Sequence, residues 1–365
     1  MFRHKTVLCC AYIFFLNGIF YYFFPMQHYL LGGTGGWIQY IKYLTFIPIL
    51  LISLSILPEI ERNYQWYLVF VVILTLSLFS LFYWLDEGNV LLFQLITPLL
   101  TYLLGGGVNK LKIGLKDYFI FYWFLIFITS ILTLSELYFN FFNGLYSSSG
   151  FRAIGPFVNP NNTGLVVAFF SVAYFILEDN KIKSLLSLFV ALLIIVLTGS
   201  KTALFVYVLA LFFSVSALYK ILLGLTSLAI GLFYIMWQQI LSANVRDFSF
   251  ESAYIRIKTI TDIFHFYGDG IENILFGISN ASLVDCAYLD ILFFSGFFVF
   301  FIFILIQLLA FIKCLKAKNK VLIVCHLMFI MMMLTTNVPR LWPLAYIYWI
   351  IISYSFFVKS EQKSI

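Results

Sequence analysis

Apolar runs of membrane-spanning length follow one another along almost the whole chain, and they leave little choice of fold. A helix that crosses the hydrocarbon core needs about 20 mostly apolar residues. Such runs lie near 6–24, 40–57, 66–85, 89–104, 117–139, 163–178, 184–198, 202–218, 220–239, 287–311, 320–336 and 341–358. Inside lipid the backbone must satisfy its own hydrogen bonds, and a run of this kind does so as an α-helix. The expected fold is therefore all-α, a polytopic transmembrane helical bundle of about 12 spans, forming a single integral membrane domain over 1–365. Composition points the same way. The chain is 63% hydrophobic and 10% charged, whereas soluble domains carry about 25% charged residues. The start, Met1-Phe2-Arg3-His4-Lys5 before an apolar run, opens like a signal peptide but has no small-residue cleavage site after it, so it reads as a first anchor that stays.

Basic residues orient the spans, because Lys and Arg gather in cytoplasmic loops. With the N-terminus inside, the outer loops hold Lys42, Arg152, Lys201, Arg246, Arg256, Lys258 and Arg340, and all other Lys and Arg fall inside. Both termini are then cytoplasmic. The two sets also differ in kind. The inner set is almost all Lys, while most of the outer set is Arg. Arg offers a planar fork that grips phosphate or carboxylate through two hydrogen bonds; Lys acts as a point charge. Arg placed against the orientation rule calls for another reason, and an anionic ligand on the outer face is the simplest. The net charge of +6 does not imply nucleic acid, since these loops assemble no basic face with stacking aromatics.

Two outer loops are long. The first, over 140–162, is rich in Gly, Ser, Asn and Pro and carries one charge, Arg152. Asn159-Pro160-Asn161-Asn162-Thr163 then opens a helix, with Asn or Thr as its N-cap. A helix N-terminus beside an Arg suits an anion. The same residues suit a structured hairpin whose Arg152 reaches up to lipid headgroups, and spacing alone leaves both readings standing. The second loop, over 240–286, is the largest polar segment, and 251–266 fits an amphipathic helix bearing Arg256 and Lys258. Its charges fit an interfacial helix as well as a ligand site. Lys201 lies in the near loop-free link Thr198-Gly199-Ser200-Lys201-Thr202; it is either a snorkelling end-of-helix Lys or a charge facing a cavity. That string lacks the first glycine and preceding strand of a phosphate-binding P-loop. Glu136 and Lys42 are charges near span ends. The five cysteines show neither metal spacing nor a disulfide framework, and no metal site or cofactor is expected.

Several of these strings together resemble a known family. Phe151-Arg152-Ala153-Ile154-Gly155-Pro156-Phe157-Val158-Asn159-Pro160-Asn161 is similar to a signature that precedes a helix in the O-antigen polymerase and O-antigen ligase superfamily. Leu197 to Ala203 resembles that family's short turn between two helices. Ile274-Leu275-Phe276-Gly277-Ile278 and the stretch from Asp285 to Gly296 resemble the end of its large outer loop, where Ser279 departs from a frequent Gly. Ligases of the family carry a His just before the returning helix; here Asp285 stands in that place and His265 lies some twenty residues earlier. The resemblance therefore favours a polymerase of repeat units.

The resemblance implies a bacterial inner-membrane glycosyltransferase acting at the periplasmic face on undecaprenyl-diphosphate-linked oligosaccharides, in O-antigen, capsule or exopolysaccharide synthesis. It needs no metal. Arg152 and Arg256 would bind the diphosphate and stabilise its growing charge. Asp285, or else Glu251 or Asp262, would take the acceptor proton. Lys201, Asn159, Asn161, Lys258 and Arg340 complete the expected substrate-binding set. A chain-length regulator is the expected protein partner. A ligase, or a flippase for the same lipid-linked sugar, is the alternative; a flippase would also place outward Arg on an anionic headgroup, yet the chain shows no internal repeat of the kind transporters carry.

Overall fold

The computed structural model describes residues 47, 51, 63–83, 98–106, 122–139, 152–157, 159–214, 257–258, 260–261, 270–277, 286–339 and 344–358. Every regular element among them is helical. They are α1 (Tyr64–Tyr83), α2 (Tyr122–Phe139), α3 (Pro160–Leu177), α4 (Lys181–Thr198), α5 (Lys201–Ser214), α6 (Ile271–Phe276), α7 (Ala287–Lys316), α8 (Lys320–Met333) and α9 (Leu344–Ser355); residues 98–106 are also helical. Among the described residues three stretches are long and apolar enough to cross a membrane: Pro160–Leu177, Lys181–Thr198 and Ser295–Lys316. The runs expected near 6–24 and 220–239, and nearly all of 40–57, lie outside the described residues. The chain divides into two compact units, one of residues 1–48 and 115–249, the other of 49–114 and 250–365.

In the first unit α3 is the central helix. Its residues from Thr163 to Tyr174 are all buried, as expected of a helix apolar all round. Small residues let α5 approach it: a Cβ added at Gly164 would lie 2.7 Å from the Cβ of Ala203. Close helix contact through small side chains replaces, in lipid, the hydrophobic drive that water supplies. α4 is two-faced. Ser184, Ser187, Ala191, Ile194, Ile195 and Thr198 are buried, while Ile182, Leu185, Leu186, Phe189, Leu193 and Val196 are exposed along its whole length. An apolar stripe that long is stable against lipid, not water. At the end of the unit where α3 passes to α4, Tyr122 and Tyr174 stack with ring centroids 4.4 Å apart. Trp123 donates to the Tyr174 hydroxyl at 2.9 Å, and Tyr174 donates to Glu178 at 2.5 Å. Asn180 caps α4 through its side-chain oxygen.

In the second unit α9 is buried along its length. Trp66 of α1 donates from its indole to Ser353 of α9 at 2.7 Å, and the Tyr102 hydroxyl donates to the Trp66 carbonyl at 3.2 Å. The main departure from expectation is α7. The apolar run near 287–311 predicts one straight span. Instead the helix breaks at Gly296, whose φ of 75° and ψ of 176° are non-helical. An unbroken helix would put Tyr288 and Gln307 about 28 Å apart. The Tyr288 hydroxyl in fact donates to Gln307 Oε1 at 3.4 Å. The arm 287–295 therefore doubles back along the arm 297–316. Glycine is required at the bend because the backbone of α6 comes against it: an added Cβ would lie 2.1 Å from the Leu275 carbonyl oxygen.

Replacing Gly164 with Val is expected to force α3 and α5 apart and to cost about 1–3 kcal/mol by overpacking. A melting curve of the purified protein in detergent checks this; an unchanged midpoint overturns the packing account.

Candidate functional site

The loop that carries Arg152 is built from both its ends. At the C-terminal end α3 starts where Asn159 and Pro160 dictate. The Asn159 side chain accepts the backbone N–H of Asn161 at 2.8 Å and of Asn162 at 3.4 Å, and Pro160 occupies the first helical position, where its missing N–H costs nothing. At the other end Ala153 donates its N–H to the Leu197 carbonyl at 2.9 Å. Arg152 Nε donates to the Thr198 carbonyl at 2.9 Å. These acceptors belong to the last turn of α4, whose carbonyls have no partner within the helix. The loop therefore completes α4 as well as starting α3.

Arg152 is half-buried, and its orientation is fixed from two sides. Besides Thr198, it donates from Nη2 to Asn161 Oδ1 at 2.9 Å. Gly199, in the left-handed region at φ 58°, ends α4 and lets the side chain lie across it: an added Cβ would sit 3.4 Å from Arg152 Cγ and Nε. The guanidinium is thus held by a helix C-terminus and an asparagine. A chain reaching for headgroups would show no such anchors. Two residues on, Lys201 is exposed as the first residue of α5; the Ser200 hydroxyl just before it accepts the Ala203 N–H at 3.3 Å.

Beneath the loop is Glu136, from the last turn of α2 and only 2% exposed. A carboxylate is disfavoured at the negative end of a helix and in lipid. Two backbone donors offset that: Ile154 N–H bonds one carboxylate oxygen and Gly155 N–H bonds the other, at 2.9 Å. Thr163 then donates its hydroxyl to the Ile154 carbonyl. Glu136 is the residue that sequence reasoning undervalued. Its signal was a lone acid in an apolar run, but the donors it meets lie 18 and 19 residues away in an irregular loop.

One end of the first unit thus gathers Arg152, Lys201 and the positive N-termini of α3 and α5, set against Glu136 and the C-terminus of α4. Of the site residues expected from sequence, Arg152 and Asn161 are bonded to each other, Asn159 caps the helix beside them, and Lys201 follows the turn that Arg152 touches. Asn159 and Asn161, expected to contact substrate, use their side-chain oxygens within the loop. Lys258 is exposed in the second unit. Arg256, Asp285, Arg340, Glu251 and Asp262 lie outside the described residues. No three His, Cys, Asp or Glu side chains converge as metal ligands among the described residues. No protein-family model matches the chain, and no curated protein matches it.

Glu136→Gln keeps the shape but turns one acceptor into a donor facing a backbone N–H. It is expected to cost about 1–3 kcal/mol, the penalty of a buried donor left unpaired. Thermal unfolding of the purified variant measures it, and a midpoint equal to that of the parent chain contradicts the bonding described.

Proposed function

We propose that this chain is a polymerase of undecaprenyl-diphosphate-linked oligosaccharide repeat units. In this reading it crosses the bacterial inner membrane about 12 times, keeps both termini in the cytoplasm and works at the periplasmic face. The observation that carries the proposal is the fixed guanidinium of Arg152 at the mouth of α3, on the side where basic residues are otherwise sparse. A fork held in place before the ligand arrives stabilises developing negative charge without reorganising. The exposed Lys201 and two helix N-termini add to the same field.

The reaction follows from that charge. A sugar hydroxyl of one repeat unit attacks the anomeric carbon of another unit, which is bound to lipid diphosphate. The new glycosidic C–O bond forms as the C–O bond to diphosphate breaks, and undecaprenyl diphosphate leaves with the electron pair. The hydroxyl proton passes to a carboxylate, for which Asp285 is the first candidate. Arg152, joined by Arg256, balances the charge that builds on the diphosphate. A metal ion is dispensable in this scheme, because Arg supplies the positive charge.

Arg152→Ala is expected to cut polymer formation by roughly 10²–10³-fold, the loss typical of one electrostatic donor, while the protein still inserts. Glycan gels and membrane immunoblots of a deletion strain carrying the variant test this; polymer of full length and amount rules out the role given to Arg152. The deletion strain itself is expected to accumulate single lipid-linked units exposed outside, which outside-added glycosidase and mass spectrometry reveal. Accumulation on the inner side would mark a flippase instead.

A further inference from the structure

We propose that the hairpin of α7 encloses a second site, in the second unit, that binds the hydroxyls of a neutral sugar. The arm 297–316 belongs to a stretch of membrane-spanning length and ends at Lys313 and Lys316. Gln307 lies about 16 Å along it from Gly296, near the middle of a hydrocarbon core about 30 Å thick. Tyr288 is bonded to Gln307, so the arm 287–295 runs back from the bend to the same depth. It is a re-entrant helix, and it carries Asp290, fully buried, into the membrane.

The hairpin and the two helices packed on it bring polar and aromatic groups together. Asp290 accepts the Asn337 amide N–H at 2.5 Å. Asn337 belongs to the turn that follows α8 and is 2% exposed, and its Oδ1 meets no donor. Gln307 is 4% exposed, and its Nε2 meets no acceptor; the Tyr348 hydroxyl, fully buried, has no partner. These groups are linked through Phe303, whose ring packs against Tyr288, Tyr348 and Trp349. Trp349 in turn donates to the Pro339 carbonyl at 2.9 Å, beside Asn337.

Polar groups left unmatched at this depth are costly, and ionisable ones in membranes mark function. Their chemistry selects the ligand. One lacks an acceptor, one lacks a donor, and one can serve as either. A phosphate brings no donor for the Asn337 oxygen, and a cation would face the Gln307 N–H. Sugar hydroxyls both donate and accept, and the C–H faces of a sugar ring pack well on aromatic rings. The site is closed as it stands, so a sugar reaches it when the short arm opens about Gly296. It would hold the sugar end of the substrate class proposed above and rests on that reading for its biological meaning, but its chemistry is tested separately.

Cys286, half-exposed, heads the arm and reports on its opening. The full-length chain with its other four cysteines changed to Ser is placed in lipid nanodiscs. The rate of Cys286 modification by a small membrane-permeant maleimide is then followed with each of a panel of hexoses, 6-deoxyhexoses and N-acetylhexosamines, and with inorganic pyrophosphate. At least one sugar is expected to slow labelling roughly threefold, as for a weak site largely filled, and pyrophosphate is expected to leave it unchanged. Gln307→Leu and Asn337→Leu, each judged by the ratio of its own labelling rates with and without sugar, are expected to lose that protection. No effect from any sugar, protection by pyrophosphate alone, or protection that survives both substitutions would overturn the proposal. Sugar protection combined with full polymer from Arg152→Ala would sink the diphosphate reading and leave this one; polymer loss with no sugar effect would do the reverse.

Discussion

A backbone amide that leaves a helix within packed protein needs another partner, and this constraint shapes the loop that carries Arg152. In that loop the chain leaves the helix where distant parts of the protein supply the missing partners. Ile154 and Gly155 give their N–H groups to a buried carboxylate. Ala153 and Arg152 take the carbonyls that α4 leaves unpaired. The break at Gly296 is closed against the end of α6. Each exception is held by long-range contacts, and each coincides with the polar residues from which chemistry can be argued.

The two proposed sites answer the same constraint differently. In the first unit the charged groups are matched within the protein, and the result is a fixed electropositive end of a helix bundle. In the second, several buried polar atoms remain unmatched around an aromatic wall. Fixed charge suits an anion that arrives fully formed; unmatched amides and a hydroxyl suit a neutral ligand that completes them. A substrate with a diphosphate at one end and sugars at the other presents both kinds of surface.

Much of the helical order was legible in the sequence because the signals are local. The cap of α3 is written in Asn159 and Pro160, and the end of α4 in Gly199. The first unit's site was half legible. Arg152 stood out by its charge and its expected side of the membrane, whereas its anchors on Thr198 and the support from Glu136 depend on where distant segments meet. The double-back of α7 was not legible at all. Phe294-Ser295-Gly296-Phe297 reads as uninterrupted span, since glycine is common in membrane helices, and only the approach of Leu275 gives that glycine its task.

Only Gly199 and Ser200 separate α4 from α5. A link that short lets neither helix slide or tilt far without unwinding the turn to which the Arg152 guanidinium is bonded. The positive charge is therefore as stationary as the bundle itself. In the proposed reaction any motion that brings reactants together then comes from the substrates or from other segments, and a diphosphate would be steered to the arginine instead of being seized by it.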